Sequence, residues 1–126
     1  MHQTQNDNER VQRVNDALVE KIMGWRVTAA RYYKNADKYI SKRSFDPMRD
    51  WCSTLSIVQY ARLLDRDLTG SLTFRCDDVG AMTFSASVTR NRDIYNYCSS
   101  KRPWAAMALA EALAKAYGID VCGGAQ

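Results

Sequence analysis

The residues best suited to chemistry in this sequence are cations interleaved with phenol rings. Between Trp25 and Phe45 lie Arg26, Arg31, Lys34, Lys38, Lys42 and Arg43, against one acid, Asp37, and Tyr32, Tyr33 and Tyr39 sit among them. Guanidinium and ammonium groups pair with phosphate oxygens, and a tyrosine ring offers a face on which a base stacks. The combination suits a nucleotide or a single nucleic-acid strand. A solvated helix face anchored by tyrosines has the same composition, so both readings stay open here.

Two further groups are donor-rich. Ser99, Ser100, Lys101 and Arg102 precede the apolar run that starts at Trp104, where a helix N-terminus presents unpaired amides and positive partial charge. A phosphate placed there would satisfy the amides and the cations together. Thr73, Arg75, Thr83, Ser85, Ser87 and Thr89 alternate along one face of a strand pair that continues to Arg90 and Arg92. Water covers such a face in an ordinary antiparallel sheet, and a polar ligand or a second subunit is the alternative. The candidate ligand-binding set is therefore Arg26, Arg31, Tyr33, Lys34, Lys38, Arg75, Arg90, Arg92, Ser100, Lys101 and Arg102.

Catalysis finds less support. The one histidine, His2, stands at the start of the chain, and the sequence has no phosphate-binding glycine loop, no GxSxG and no HExxH. Asp77 and Asp78 are adjacent, and neighbours on a strand point to opposite faces, so they read as turn residues. Cys52, Cys76, Cys98 and Cys122 lie more than twenty positions apart, without metal-ligand spacing, and read as buried, reduced thiols. No enzyme activity, metal or cofactor is expected.

The elements that must position these groups follow from composition and periodicity. A chain of 126 residues with 46% hydrophobic and 25% charged residues fits one globular domain, residues 9–121, between a polar leader, 1–8, and a short tail, 122–126. No apolar run approaches the roughly 20 residues of a membrane helix, and the polar N-terminus does not read as a signal peptide.

Val11, Val14, Leu18 and Ile22 recur at helical steps and Gly24 suits a left-handed cap, which predicts a helix from about Glu9 to Met23. Ala29, Tyr33, Ala36 and Ile40 share a helical face, while the alternation of Trp25 and Val27 leaves a short strand open instead. Phe45, Asp46 and Pro47 form a break. A helix over about Met48 to Leu64 buries Trp51, Leu55, Val58, Ala61 and Leu64, flanked by Ile57 and Leu63. Leu72, Phe74 and Cys76, then Met82, Phe84, Ala86 and Val88, alternate as the two strands of an antiparallel hairpin turning at Asp77 to Gly80. An alanine-rich helix runs from Trp104 to Tyr117, with Pro103 in its first turn and Gly118 at its end. Trp25, Trp51 and Trp104 border apolar patterns and read as core anchors. The fold class is α+β: a small antiparallel sheet built on a central hairpin, with three or four helices packed around it.

Three blocks, LVEKIMGW (Leu18 to Trp25), FDPMRDW (Phe45 to Trp51) and WAAMALAEALAKAYGI (Trp104 to Ile119), together with the hairpin between the last two, resemble the phage ABA sandwich domain family. The resemblance implies a thin sheet between helices, a phage or prophage origin and work in the bacterial cytoplasm. It implies no reaction, since the family carries no established catalytic residues. The basic tyrosine-rich stretch after Trp25 is longer than in typical members, and the hydroxyl-rich strand face departs from a fully covered sandwich. The leading expectation is a non-enzymatic phage accessory protein that binds a small phosphorylated, nucleotide-like ligand, as a sequestering counter-defence protein would. A nucleic-acid or protein-interaction module using residues 26–43 is the first alternative. A ligand-free homo-oligomer is the second.

Overall fold

The computed structural model describes residues 2–90, 96–99 and 101–121. Its elements, in chain order, are α1 (His2–Leu18), a π-helical turn (Val19–Met23), β1 (Arg26–Val27), β2 (Arg31–Tyr33), β3 (Tyr39–Ser41), α2 (Trp51–Leu64), β4 (Thr69–Cys76), β5 (Met82–Thr89), β6 (Tyr97–Cys98) and α3 (Ala105–Ala116). The class is α+β, and among the described residues there are three α-helices and two antiparallel sheets of three strands each, ordered β1-β2-β3 and β4-β5-β6.

The first helix starts at His2, so it takes in the segment read as a leader. Its apolar stripe behaves as its spacing dictates: Val11, Val14, Leu18, Val19 and Ile22 are all buried. The stripe ends in a wider turn, and the Gly24 N–H donates to the Val19 carbonyl from the left-handed region at φ 73°. A side chain there would be strained, so glycine stops the helix.

The stretch after Trp25 is a correction to the helical alternative. It forms the first sheet, with Val27, Tyr32 and Ile40 in one cross-strand row and Arg26, Tyr33 and Tyr39 in the next. Successive strand residues face opposite sides. The Val27 row turns to the core, where Tyr32 is completely buried, and the Arg26 row turns to solvent. A helix would have placed Tyr33 with Ala29, Ala36 and Ile40 on the buried side. The strand alternation that puts Tyr32 inside puts Tyr33 outside.

The face that α2 buries also differs from the expected stripe. Asp50 caps this helix, its Oδ2 accepting from the Ser53 N–H at 2.9 Å and from Ser53 Oγ at 2.7 Å. The buried residues are Ser53, Thr54, Ile57 and Ala61, while Trp51, Leu55, Leu63 and Leu64 are exposed. Thr54 satisfies its hydroxyl by donating to the Pro47 carbonyl. With that bond made, a small polar residue enters the core, and the helix turns its larger leucines outward.

The long hairpin pairs Thr69 with Thr89 through to Cys76 with Met82. It turns at Asp77, whose Oδ1 accepts from the N–H groups of Val79 and Ala81, and at Gly80 with φ 86°. Gly70 faces Val88, and a Cβ there would come within 2.8 Å of the Ser87 carbonyl oxygen, so no larger residue fits the strand at that point. On β5, Ala86 and Val88 are buried against α3, whereas all eight residues of β4 are exposed. Nearly the whole circumference of α3 is buried, Ala106, Ala108, Ala110, Ala112 and Ala114 among it, because alanine lets neighbours approach on every side. The core joins α1, Tyr32, Phe45, Met48, α2, β5 and α3, and Ile119 and Val121 close it beyond the last helix.

Three side-chain expectations change with these contacts. Cys52, Cys76 and Cys98 are exposed free thiols rather than buried ones, and Cys122 lies outside the described residues. Trp51 and Trp104 are exposed, at 40% and 51%; Trp25 packs on the core and meets Tyr60 edge to face, with ring centroids 6.4 Å apart. Pro103 precedes the N-cap residue Trp104 and so stands just outside the helix.

Candidate nucleic-acid interface

The outward face of the first sheet gathers four of the chemically apt residues into one surface. Arg26 lies 4.8 Å from the Tyr33 ring centroid and Arg31 lies 4.4 Å from that of Tyr39, while the two rings are 5.3 Å apart and tilted by 41°. The order arises from the register, which sets Arg26 opposite Tyr33 and Tyr33 opposite Tyr39. Arg31 shares their face because it is two residues from Tyr33. Its Nη1 donates to the Tyr33 hydroxyl at 3.4 Å, and that bond, followed by the nearby Tyr39, pushes the guanidinium pKa above its ordinary value. Tyr39 is 53% exposed.

Two more cations stand at the edge of this surface. Lys34 and Lys38 are exposed at the two ends of the β2–β3 turn, where the Lys34 N–H donates to the Lys38 carbonyl at 2.9 Å. Asn35 shapes the turn by accepting from the N–H groups of Asp37 and Lys38. Arg43 is exposed just beyond β3.

Lys42 is different. Its Nζ lies 3.1 Å from Asp16 Oδ1 and 5.3 Å from the Tyr32 ring centroid, on the core side. The Tyr32 hydroxyl donates to the same Asp16 at 2.7 Å, and Gln12 donates to both. Burial first, and then the bond to the Asp16 carboxylate, drives the Tyr32 pKa far up. This cluster fastens the sheet to α1.

The remaining candidates do not join that surface. Arg90 donates to Asp65 Oδ2 and to the Ala116 carbonyl, both at 3.1 Å, and its guanidinium carbon lies 4.1 Å from the Tyr117 ring centroid. The Tyr117 hydroxyl donates to the same Asp65 oxygen, and burial, with that bond second, raises its pKa well above the ordinary value. The pattern of cation, carboxylate and tyrosine repeats that of Lys42, Asp16 and Tyr32. Arg102 is held by the buried Glu111, with Nε 2.7 Å from Oε2. Arg75 and Lys101 are exposed. Arg92 and Ser100 lie outside the described residues.

A second surface gathers around Arg102, the cation expected beside the start of the last helix, and adds arginines that no local signal joins to it. Arg10, Arg49, Arg102 and the ring of Trp104 line an open cleft of about 530 Å³ at the start of α3, together with Asp7 and Asn8. These arginines come from three distant stretches of chain. Arg49 is shared with Asp46 at 3.2 Å and Asn8 at 2.6 Å, and Arg10 donates to the Val121 carbonyl at 2.9 Å. No residue of 26–43 lines this cleft, so the two basic regions do not form one pocket among the described residues. Comparison with protein-family models, curated proteins and solved structures finds no match for the chain.

Proposed function

We propose that the chain is a binding module for single-stranded nucleic acid, which it engages on the outer face of the first sheet. The observation that carries this reading is the outward row of exposed Arg26, half-buried Tyr33 and exposed Tyr39, with exposed Arg31 beside it. Guanidinium groups stack on both rings, Arg26 on Tyr33 and Arg31 on Tyr39, and exposed Lys34 and Lys38 flank them. Bases stack on rings of this kind whatever their sequence, and cations at the border pair with the backbone phosphates. The surface is open rather than enclosed, which favours a polymer laid across it over one small molecule engulfed by it. The reading makes the protein a non-enzymatic accessory factor, in keeping with the phage or prophage origin and cytoplasmic setting that the sequence resemblance suggests.

The cleft of Arg10, Arg49, Arg102 and Trp104 favours a second reading, a small phosphorylated ligand with an aromatic ring, such as a sequestered nucleotide signal. Its arginines are already engaged by Val121, Asp46, Asn8 and Glu111, which leaves each fewer free donors than Arg26 and the turn lysines offer.

Fluorescence anisotropy with a labelled short oligonucleotide, measured across a salt series, tests the first reading. Binding that weakens steeply with salt and is lost in Arg26→Ala/Arg31→Ala supports it. Binding unchanged in that variant refutes it. A mononucleotide that displaces no oligonucleotide and loses its own binding on Arg49→Ala would favour the cleft.

A further inference from the structure

The outer edge of β4 is open. Among the described residues no strand pairs with it, since β4 ends the order β4-β5-β6. The hydrogen-bond pattern settles which groups it presents. On β5, Phe84 exchanges backbone bonds with Arg102 at 2.7 and 2.8 Å, and the Ala86 carbonyl accepts from Ser99 at 2.9 Å, so both residues direct their backbone groups away from β4. Their opposite numbers, Phe74 and Leu72, therefore direct N–H and C=O to the free edge, as do Gly70 and Cys76 at the same parity. Edges of this kind are normally blunted by lysine, proline or a bulge. This eight-residue strand, TGSLTFRC, has no lysine and no proline and pairs without a bulge, and Arg75 is its single charged residue.

The edge residues that offer free backbone groups also carry the apolar side chains. Phe74 is 66% exposed, and Leu72 borders a groove of about 220 Å³ whose other walls include Val58, Leu68, Leu109 and Leu113. Exposed apolar and charged groups then collect at both ends of the strand. At the hairpin tip, Val79 is 88% exposed beside Asp77 and Asp78. At the base, Leu63 is 79% exposed and lines an open hollow with Arg62, Arg66 and Gln59.

We infer that β4 is the dimerisation edge of this protein, and that its occupant is the β4 strand of a second copy, antiparallel and two-fold related about Thr73. Only even-numbered residues offer backbone groups, so a symmetric pairing must match even with even. Centring on Thr73 pairs Leu72 with the second copy's Phe74 and Gly70 with its Cys76, each twice. This register carries the tip of one copy toward the base of the other, with Asp77, just beyond one strand, opposite Thr69 at the start of its partner. The tip, with Asp77, Asp78 and Val79, so approaches the exposed end of α2 and the turn after it, where Leu63 stands with two cations, Arg62 and Arg66, against one exposed acid, Asp67. A short peptide from another protein could fill the edge but would leave both end patches uncovered. The second copy covers edge, tip and base with one symmetric contact, and the two sheets become one of six strands.

Sedimentation velocity on the full chain tests this, with Leu72→Pro as the deciding variant. Proline at 72 removes an N–H that faces away from β5, so the hairpin's own ladder keeps all its bonds. The expected result is a wild-type dimer that becomes a monomer in Leu72→Pro with an unchanged circular dichroism spectrum. A monomeric wild type overturns the proposal, and so does a variant that remains a folded dimer. Should Leu72→Pro fail to fold, Thr73→Cys decides in a chain whose native cysteines are changed to serine. Facing cysteines on the two-fold axis should close an intersubunit disulfide under mild oxidation, and its absence overturns the proposal.

Discussion

Arg102 sets its Nη2 2.5 Å from Oε2 of Glu111, a carboxylate with no solvent exposure. The pair explains how a glutamate can sit on the buried side of an alanine-rich helix. A charge taken out of water costs several kcal/mol unless a partner and hydrogen bonds replace the lost hydration. Arg102 also bridges to Phe84 through its backbone, so one residue ties α3 to the edge of β5.

Arg102→Ala should therefore behave as a stability mutation. Removing one partner of a buried pair costs about 3–5 kcal/mol, and Lys115, 3.9 Å from Glu111 Oε1, keeps the loss near the lower end. Urea unfolding measures it. Combining the change with Glu111→Leu should recover a large part, because no buried charge then remains unpaired.

Tyr39→Ala should weaken oligonucleotide binding with little effect on folding. Stacking of one base on a ring is worth about 1–3 kcal/mol, or roughly five- to hundred-fold in affinity, and Tyr39 projects from a short surface strand. Lys34→Ala/Lys38→Ala should instead reduce the salt dependence by roughly one to two released counterions. Anisotropy titrations at several salt concentrations separate the two effects.

Alkaline pH should expose the two tyrosine–carboxylate clusters. Burial first, then the bonds to Asp16 and Asp65, raises the pKa of Tyr32 and Tyr117. The unfolded chain ionises its tyrosines near about pH 10, so above that value the native state holds more protons than the unfolded one. The stability contributed by these groups is complete below about pH 10 and declines as pH rises toward the folded-state values. Phenolate absorbance should show late ionisation steps that coincide with unfolding, and Tyr32→Phe and Tyr117→Phe should each remove one.

Asp50→Ala tests the cap on α2. Loss of the two bonds that Ser53 donates to Asp50 Oδ2 should lower stability by about 1 kcal/mol. Thermal unfolding reads the change directly, and Asp50→Asn should restore most of it.

Several of these groups are legible in the sequence because local periodicity decides them. The stripe of α1, the Gly24 stop, the hairpin turning at Asp77 and the helix closing before Gly118 all depend on neighbours within a few residues. The basic tyrosine-rich stretch is likewise visible in composition, but a helical period there puts Tyr33 inward, where the strand puts it outward. Helical and strand periods both fit a segment in which nearly every position is aromatic, basic or small, and pairing with distant backbone chooses between them. The buried face of α2 departs from the apolar stripe for a related reason. Ser53 and Thr54 look like surface residues until Asp50 and the Pro47 carbonyl are seen to satisfy them.

By itself, then, the sequence determined the α+β class, the central hairpin, the first and last helices and the concentration of cations among tyrosines, since these follow from composition and short-range spacing. Tertiary structure alone decided which cations are free. Arg26, Lys34 and Lys38 face solvent, while Lys42, Arg90 and Arg102 are held by Asp16, Asp65 and Glu111, carboxylates that stand between nine and twenty-six residues away. A charge reads the same in sequence whether water or a buried acid surrounds it, and only the folded contacts distinguish a residue that holds the protein together from one that can reach a ligand.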